Sequence, residues 1–195
     1  THPTLPLLLL ARVSMSNKDR VEAVWGVFVE RVESAITMGR HWDAPVTIAV
    51  ETSAALALRA VRVPSIAHDV PRLLVLLSSM PENSLGEFAG PLSWHVHDLL
   101  SNEGEALAEV GGVANAVTVL EHVGRRWPAA ARAAVEGVGL VGLASKTLSE
   151  SEWKLCLATL SSLAASEAAM EAKCSLRALD YLFAMQQQGG GKGHG

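Results

Sequence analysis

Apolar side chains recur along this chain at every third or fourth position, which is the spacing of one face of an α-helix. Between residues 17 and 38 the polar side chains fall on the other side, so one wet and one buried face are predicted. The apolar set of this segment is Val21, Val24, Trp25, Phe28, Val32, Ala35 and Ile36. Windows in which Val, Ile, Thr and aromatic residues alternate with polar ones are scarce. The pattern therefore predicts an all-α chain.

Prolines, glycines and polar residues divide the middle of the chain into further helices. Pro45 suits a first helical turn, and Pro64 stops the helix that begins there. A short apolar helix over residues 73–80 is predicted to be buried all round. Residues 102–104, Asn-Glu-Gly, are predicted to break the next helix, and the helix after them contains a weakening glycine pair at residues 111–112.

Capping residues mark the helices near the end of the chain. An alanine-rich helix begins at Trp127-Pro128. Ser149 and Glu152 then match a capping box, in which each residue satisfies an unpaired backbone amide of the other at a helix start. A last helix is predicted over residues 167–187.

The pattern amounts to about nine helices joined by short connections. Pairs of amphipathic helices at a spacing of about 40 residues are typical of an armadillo or HEAT solenoid, where each pair hides its apolar face by stacking on its neighbours. A compact helical bundle is the alternative. Residues 1–188 are predicted to form one α-helical domain, and residues 189–195 a flexible glycine-rich tail.

Composition narrows the class of protein. Of 195 residues 49% are apolar and the net charge is −4, which excludes a disordered chain and a strongly basic nucleic-acid binder. No apolar run reaches the roughly 18 residues that span a bilayer. The run at residues 5–11 is interpreted as a buried first helix, and the opening Thr1 as the start of a segment cut from a longer protein. Two cysteines are too few for a disulfide framework.

Two short patterns invite a chemical reading that the helical context opposes. Residues 137–142, Gly-Val-Gly-Leu-Val-Gly, match the spacing of a dinucleotide-binding loop, but that loop needs a preceding strand. Close helix packing on small residues is the preferred interpretation. His95 and His97 lie beside Asp98, which suggests a metal site. However, side chains two positions apart on a helix point in directions about 200° apart, so the two imidazoles are not expected to bind one metal ion.

Other signals of an enzyme are missing from the sequence. Neither a G-x-S-x-G nucleophile motif, an H-E-x-x-H metal motif nor a phosphate-binding loop occurs. Cys156 lies on an apolar stripe with Trp153 and Leu160, so a buried and inert thiol is expected. No catalytic residue, metal or cofactor is predicted.

Charge is unevenly distributed. Residues 63–124 carry eight acids and one base, or −7, which leaves +3 for the rest of the net −4. An acidic segment of this kind repels anionic lipid, so any membrane-facing surface is expected to come from the ends of the chain. Seven bases and six acids lie in the first 62 residues. The bases considered as lipid-facing are Arg12, Lys18, Arg31, Arg40, Arg59 and Arg62.

A stretch near the start of the chain carries more specific information about the protein family than the helical periodicity does. Residues 7–9, Leu-Leu-Leu, precede an Asn-Lys-Asp-Arg-Val run that enters a helix with a tryptophan. This resembles the region that follows the catalytic domain in the large Arf guanine-nucleotide exchange factors of the Golgi brefeldin A-resistance type. Asn17 is a suitable N-cap and Asp19 suits the positive first turn. The matching residues are Asn17, Lys18, Asp19, Arg20 and Trp25.

Further matches to that family follow in the same order. Val50-Glu51 with Leu58-Arg59 is similar to its Val-Glu-Arg helix, and the leucines before Met80-Pro81 are similar to its leucine run. His97-Asp98-Leu99-Leu100 resembles its His-Glu-Leu-Leu. Residues 113–121 resemble a helix that begins Trp-Ala, with valine at positions 113 and 117 where the family has Trp and Phe. The resemblance covers residues 5–124.

The resemblance implies a non-catalytic regulatory domain of a cytoplasmic exchange factor that works at the periphery of Golgi membranes in vesicle transport. Such a domain is expected to bind membrane lipids, phosphoinositides among them, and so to recruit the factor. The alternative is a protein-interaction scaffold that binds Arf-GTP or other domains of the same factor, for sensing or autoinhibition. Nucleotide exchange belongs to the preceding domain of that family, so this chain is not expected to be an enzyme.

Overall fold

The computed structural model describes residues 9–10, 12–13, 15–17, 20–38, 44–80, 85–86, 88–144 and 148–190. These residues form helices and turns and contain no strand, which confirms the all-α prediction. The helices delimited among them are α1 (Val21–Met38), α2 (Ala44–Ala60), α3 (Val70–Ser78), α4 (Ala89–Glu109), α5 (Val113–Gly124), α6 (Pro128–Ala144), α7 (Glu150–Ala164), α8 (Glu167–Glu171) and α9 (Ser175–Gly190), with a 3-10 turn at Ala67–Asp69. None of the described helices is long and apolar enough to cross a membrane.

The long helices pack in two rows. In the first row α2 contacts α4, α4 contacts α6, and α6 contacts α9. In the second row α1 contacts α3, α3 contacts α5, and α5 contacts α7. Most consecutive helices also pack across the rows, and the short α8 lies on α6 and α7. In stacked helical pairs, each helix typically contacts the next helix but one, so these contacts favour the solenoid. The choice of a solenoid over a bundle stays a prediction.

The core runs continuously from α1 to α9. Trp25 and Phe28 of α1 are fully buried, as the apolar pattern predicts. The start of α1 differs from the prediction, because the helix begins at Val21, four residues after Asn17. Instead Nδ2 of Asn17 donates to the carbonyl of Val13 at 2.9 Å, so its amide satisfies the end of the preceding turn.

Two predictions about buried segments are wrong in part. Leu9 in the predicted buried first helix is exposed, although Leu10 packs on the core; residues 5–8 and 11 lie outside the described part. The apolar helix α3 is not buried all round, since Val75 is 50% exposed. Its core contacts come from the face that carries Leu73, Leu74 and Leu77.

Helix boundaries differ from prediction at three places. The predicted break at residues 102–104 is a kink inside α4, and the chain leaves the helix at Gly111, where φ is 71°. The predicted helix over residues 167–187 is divided into α8 and α9 by Lys173, where φ is 56°. The last helix reaches Gly190, so residues 189 and 190, predicted to belong to the tail, are helical; residues 191–195 lie outside the described part.

The glycine-spaced segment lies inside α6 and packs closely, as predicted. A β-carbon built on Gly139 would lie 2.3 Å from the Tyr181 ring of α9, and one on Gly142 would lie 2.5 Å from Met185. At Gly137 the same atom would lie 2.9 Å from Leu120 of α5. These glycines therefore let α6 approach α5 and α9, and the segment is a continuous helix rather than a strand followed by a loop.

Candidate functional site

The kink in α4 places a carboxylate inside the protein. Asn102 and Gly104 are poor helix formers, and between them Glu103 leaves helical geometry with φ −129° and ψ 19°. The Glu103 side chain is only 8% exposed. Nη2 of Arg62, in the turn after α2, donates a hydrogen bond to Oε1 of Glu103. Because a buried carboxylate is costly without a partner, this pair fixes the kink against the end of α2.

The same ion pair favours the protonated form of its basic partner. The hydrogen bond to Glu103, together with the attraction of its negative charge, raises the pKa of the Arg62 guanidinium. Arg62 is itself exposed, so its side chain covers the carboxylate from the solvent side. Glu103 is thus committed to a contact within the protein, and the acidic groups open to a partner at this place lie elsewhere on α4.

A groove of about 490 Å³ opens between the kink and the last turns of α6. Its α4 side is mainly polar and its α6 side is apolar. The side chains that characterise the two sides are Ser101, Asn102, Glu105, Leu140, Val141 and Ala144. The volume lies within the range of ligand-binding clefts, roughly 300–1,000 Å³. A groove with one apolar and one acidic side suits a peptide segment that carries both apolar and basic side chains.

The solvent-facing side of α4 continues from the groove. Trp94, Asp98 and Ser101 follow one another at spacings of three or four residues, which places them along one side of the helix before the kink. Glu105 lines the groove just after the kink. Trp94 is 41% exposed although it is large and apolar. The carboxylate of Asp98 is half exposed and lies 3.1 Å from Nδ1 of His97. We call these four residues the α4 face.

The α4 face and the α6 side of the groove are functional candidates that the sequence reasoning missed. A tryptophan on the polar side of the α4 pattern is a local signal that singles out Trp94. Leu140 offers no such signal, because one leucine among the many apolar residues of α6 does not stand out in the sequence. Its proximity to Glu105 arises only when α4 and α6 pack together.

The two histidines of α4 point to different neighbours. Nε2 of His95 lies 3.8 Å from Oε1 of Glu51 on α2. His97 lies on the opposite flank, where its backbone approaches Gly137 of α6 and its ring meets Trp94 with centroids 5.1 Å apart. The divergence expected for positions two apart on a helix is therefore present. The described residues hold no group of three or more potential metal ligands.

The predicted lipid-facing bases are only partly within the described residues. Lys18 and Arg40 lie outside them, as does Asp19 of the Asn-Lys-Asp-Arg run. The described ones, Arg12, Arg31, Arg59 and Arg62, are exposed. Arg20 of the Asn-Lys-Asp-Arg run is exposed as well. Of these, Arg62 is bonded to Glu103 and does not present a bare charge to an anionic surface.

Several residues that carry the family resemblance belong to the core. Trp25, Leu73 and Leu99 are buried, and so are the two positions where valine replaces the family's Trp and Phe, Val113 and Val117. These positions contribute to packing, so they do not form a partner surface in this chain. Comparison of the chain with family models, with curated proteins and with solved structures finds no match.

Proposed function

We propose that this chain is a non-catalytic docking domain whose binding site is the groove between α4 and α6 with the adjoining α4 face. The observations that support this most are Glu105 and Leu140 on the two sides of the groove, and an exposed tryptophan and a half-exposed carboxylate, Trp94 and Asp98, earlier on α4. Exposed apolar area of this kind rimmed by charge is typical of protein interaction sites.

The partner that fits the groove is a segment with apolar and basic side chains. Apolar side chains of such a segment would cover Leu140 and the indole of Trp94. Its bases would lie near Asp98 and Glu105, where attraction between opposite charges speeds association and selects the partner. Since these carboxylates are exposed, binding is expected to weaken as salt is added.

The family resemblance gives this docking domain a place in a larger system. We propose that it regulates a Golgi-type Arf exchange factor, in which the groove takes Arf-GTP or another domain of the same factor. Docking of this kind changes the local concentration of the tethered domains without new chemistry. The support for the family is the ordered set of motifs from residues 5 to 124.

Lipid recruitment is the second candidate function. It is favoured by the exposed bases Arg12, Arg20, Arg31 and Arg59, which belong to the N-terminal third of the chain. Each base near an anionic membrane contributes about 1 kcal/mol of attraction. Such binding would bring the exchange factor to the periphery of Golgi membranes.

A single set of variants separates the two candidates. Asp98→Lys combined with Glu105→Lys reverses the exposed charge of the groove and leaves the Arg62–Glu103 pair intact. Arg31→Glu combined with Arg59→Glu is the matched control on the basic surface. The whole chain is tested for retention by GTP-locked Arf or by the exchange domain, and for flotation with phosphoinositide-containing vesicles.

Docking through the groove predicts that the acidic-to-basic variant reduces retention by about tenfold or more while the control retains binding. Retention should also decrease with added salt. Equal retention of both variants would contradict binding of the partner through the groove. Flotation that is lost only in the Arg31 and Arg59 variant would instead support lipid recruitment.

A further inference from the structure

His97 contacts three of the four residues of the α4 face. Its ring nitrogen Nδ1 lies 3.1 Å from Oδ1 of Asp98, and Nε2 lies 3.5 Å from Oγ of Ser101. The ring also meets the indole of Trp94 in a T-shaped contact, with centroids 5.1 Å apart. One imidazole is therefore in contact with both the exposed aromatic ring and the half-exposed carboxylate that α4 presents before the kink.

The imidazole is held between α4 and α6. Its side chain is only 14% exposed. Gly137 of α6 permits this close approach, because a β-carbon built there would lie 3.3 Å from Cα and 3.5 Å from Cβ of His97. A ring that is packed in this way has already lost most of its rotamer freedom. It can therefore hold the more exposed side chains of Asp98 and Trp94 in place for a partner.

The hydrogen bonds define the state of the ring when it is neutral. An ionised carboxylate only accepts hydrogen bonds, so Nδ1 of His97 carries the hydrogen and donates it to Asp98. Nε2 is then an acceptor and faces the hydroxyl of Ser101. Uptake of a proton at Nε2 makes the ring a cation beside Asp98. Asp98 and Glu105 carry two negative charges, so the α4 face together with His97 then changes from −2 to −1.

We propose that His97 is a positioning residue of the docking site and that protonation of its ring weakens the docking of a basic segment. This role of His97 rests on the docking function proposed above. The imidazolium engages the Asp98 carboxylate that would otherwise attract a base of the partner. It also repels a base that approaches the indole of Trp94. Histidine is the side chain whose charge ordinarily changes between about pH 5 and about pH 8, so docking should weaken as the pH falls through this range.

The charged side chains of the helices packed on α4 have partners other than His97. On α2, α5 and α6 the acids and their partners are Glu51 with His95, Glu121 with Thr159, and Glu136 with Arg132 and Arg177. The remaining bases of α2 and α5 are Arg59, which is exposed, and His122, which contacts Arg126. Asp98 is therefore the charged group in contact with the His97 ring among the described residues.

The experiment measures retention of the whole chain by GTP-locked Arf and by the exchange domain at about pH 7.5 and about pH 5.5. Wild-type retention should fall about three- to tenfold at the lower pH, which is the effect of one charge at a partly solvated site. His97→Gln cannot take up a proton, so its retention should differ by less than about twofold between the two pH values. Circular dichroism at both pH values checks that the helices are retained.

His95→Gln is the matched control on the same helix. It removes the other histidine of α4, which faces Glu51, and leaves the ring that contacts Asp98 and Trp94. This variant should show the same pH dependence as the wild type. Titrating groups of the probe act on all three chains alike, so the difference between the His97 and His95 variants isolates the His97 ring.

Three outcomes would overturn the proposal. Equal pH dependence in all three chains would assign the titration to the probe or to another group. Wild-type retention that is constant with pH, but is lost on Asp98→Lys combined with Glu105→Lys, would keep the docking site and remove the role of His97. Absence of retention at both pH values would overturn the docking function itself, and the role of His97 with it.

A second measurement on the free protein tests the contacts of the ring without a partner. Two-dimensional NMR follows the His97 ring and the indole N–H of Trp94 through the same pH range. The Trp94 signal should shift together with the titration of His97. This shift should persist in His95→Gln and be absent from His97→Gln. A Trp94 signal in the wild type that does not follow His97 would overturn the proposal, and this result does not depend on the folding of any variant.

Discussion

Cys156 shows how burial controls the chemistry of a single residue. The thiol is fully buried on α7, as the apolar stripe of that helix predicts. Burial raises the pKa of the Cys156 thiol to about 12, and the negative charge of Glu152 adds to the shift. The thiolate is the reactive form of cysteine. Cys156 is therefore expected to react slowly with thiol reagents at neutral pH unless the protein unfolds.

The raised pKa makes stability depend on alkaline pH. An unfolded cysteine ionises near pH 9 and folded Cys156 near pH 12. The contribution is complete below pH 9 and is lost as the pH rises, because the unfolded state then binds fewer protons than the folded state. The decline should approach about 1.4 kcal/mol per pH unit for this one group.

Urea unfolding from about pH 8 to about pH 11 measures this decline in the free energy of unfolding. Cys156→Ala is the control, because it keeps every other titrating group. The variant should be less stable at neutral pH and should lose less stability on the way to alkaline pH. Parallel pH profiles for the wild type and the variant would show that the folded state does not raise the pKa of Cys156.

At the scale of the element, two helices end in the same way with different residues. Gly111 ends α4 with φ 71°, and the amide of Gly112 donates to the carbonyl of Leu107 at 2.9 Å. Lys173 ends α8 with φ 56°, and the amide of Cys174 donates to the carbonyl of Ala169 at 2.9 Å. Both are the closing bonds of a Schellman motif. Glycine adopts this backbone freely, whereas lysine is strained by its β-carbon.

Lys173→Gly is therefore expected to raise the free energy of unfolding by about 1 kcal/mol. Gly111→Ala, which adds a β-carbon at the corresponding position of α4, should lower it by a similar amount. Lys173→Ala removes the charge but keeps the β-carbon, so it should leave the stability nearly unchanged. Urea denaturation of the three variants gives the comparison. A loss of stability in Lys173→Gly is incompatible with a left-handed backbone at that residue.

These elements show what the sequence can predict of the fold and the site. The capping box of α7 is confirmed, because Ser149 and Glu152 bond each other's backbone amides within one turn. Lys173 carries no such local signal. The residues Asn102 to Gly104 indicate a break at Glu103, but not its ion pair with Arg62, 41 residues away. The groove likewise forms only when α4 packs on α6, so a local pattern can indicate the helices but not the site between them.

At the scale of the whole molecule, the pattern of contacts between helices determines how stability is distributed along the chain. Helix α1 contacts α2 and α3 at one end of the two rows, and α7 contacts α9 near the other. In a stack, each helical pair stabilises chiefly its neighbours. In a bundle, all helices share one core, and a local defect weakens the whole. The effect of one buried substitution on distant helices therefore distinguishes the two architectures.

Trp25→Ala applies this distinction at one end. The indole is fully buried, and its N–H has no acceptor among the described residues, so the substitution chiefly removes packing. The expected loss is about 3–5 kcal/mol; a loss below about 1 kcal/mol would mean that α1 does not pack as described.

Hydrogen exchange then shows where that stability is lost. If the helices form a stack, amide protection in Trp25→Ala falls in α1–α3 and persists in α6–α9. Leu160→Ala, a buried site on α7, is the matched variant at the other end and should reverse the pattern. Uniform loss of protection in both variants would instead establish the compact bundle. In a stack, Trp25→Ala would also leave the groove between α4 and α6 largely intact.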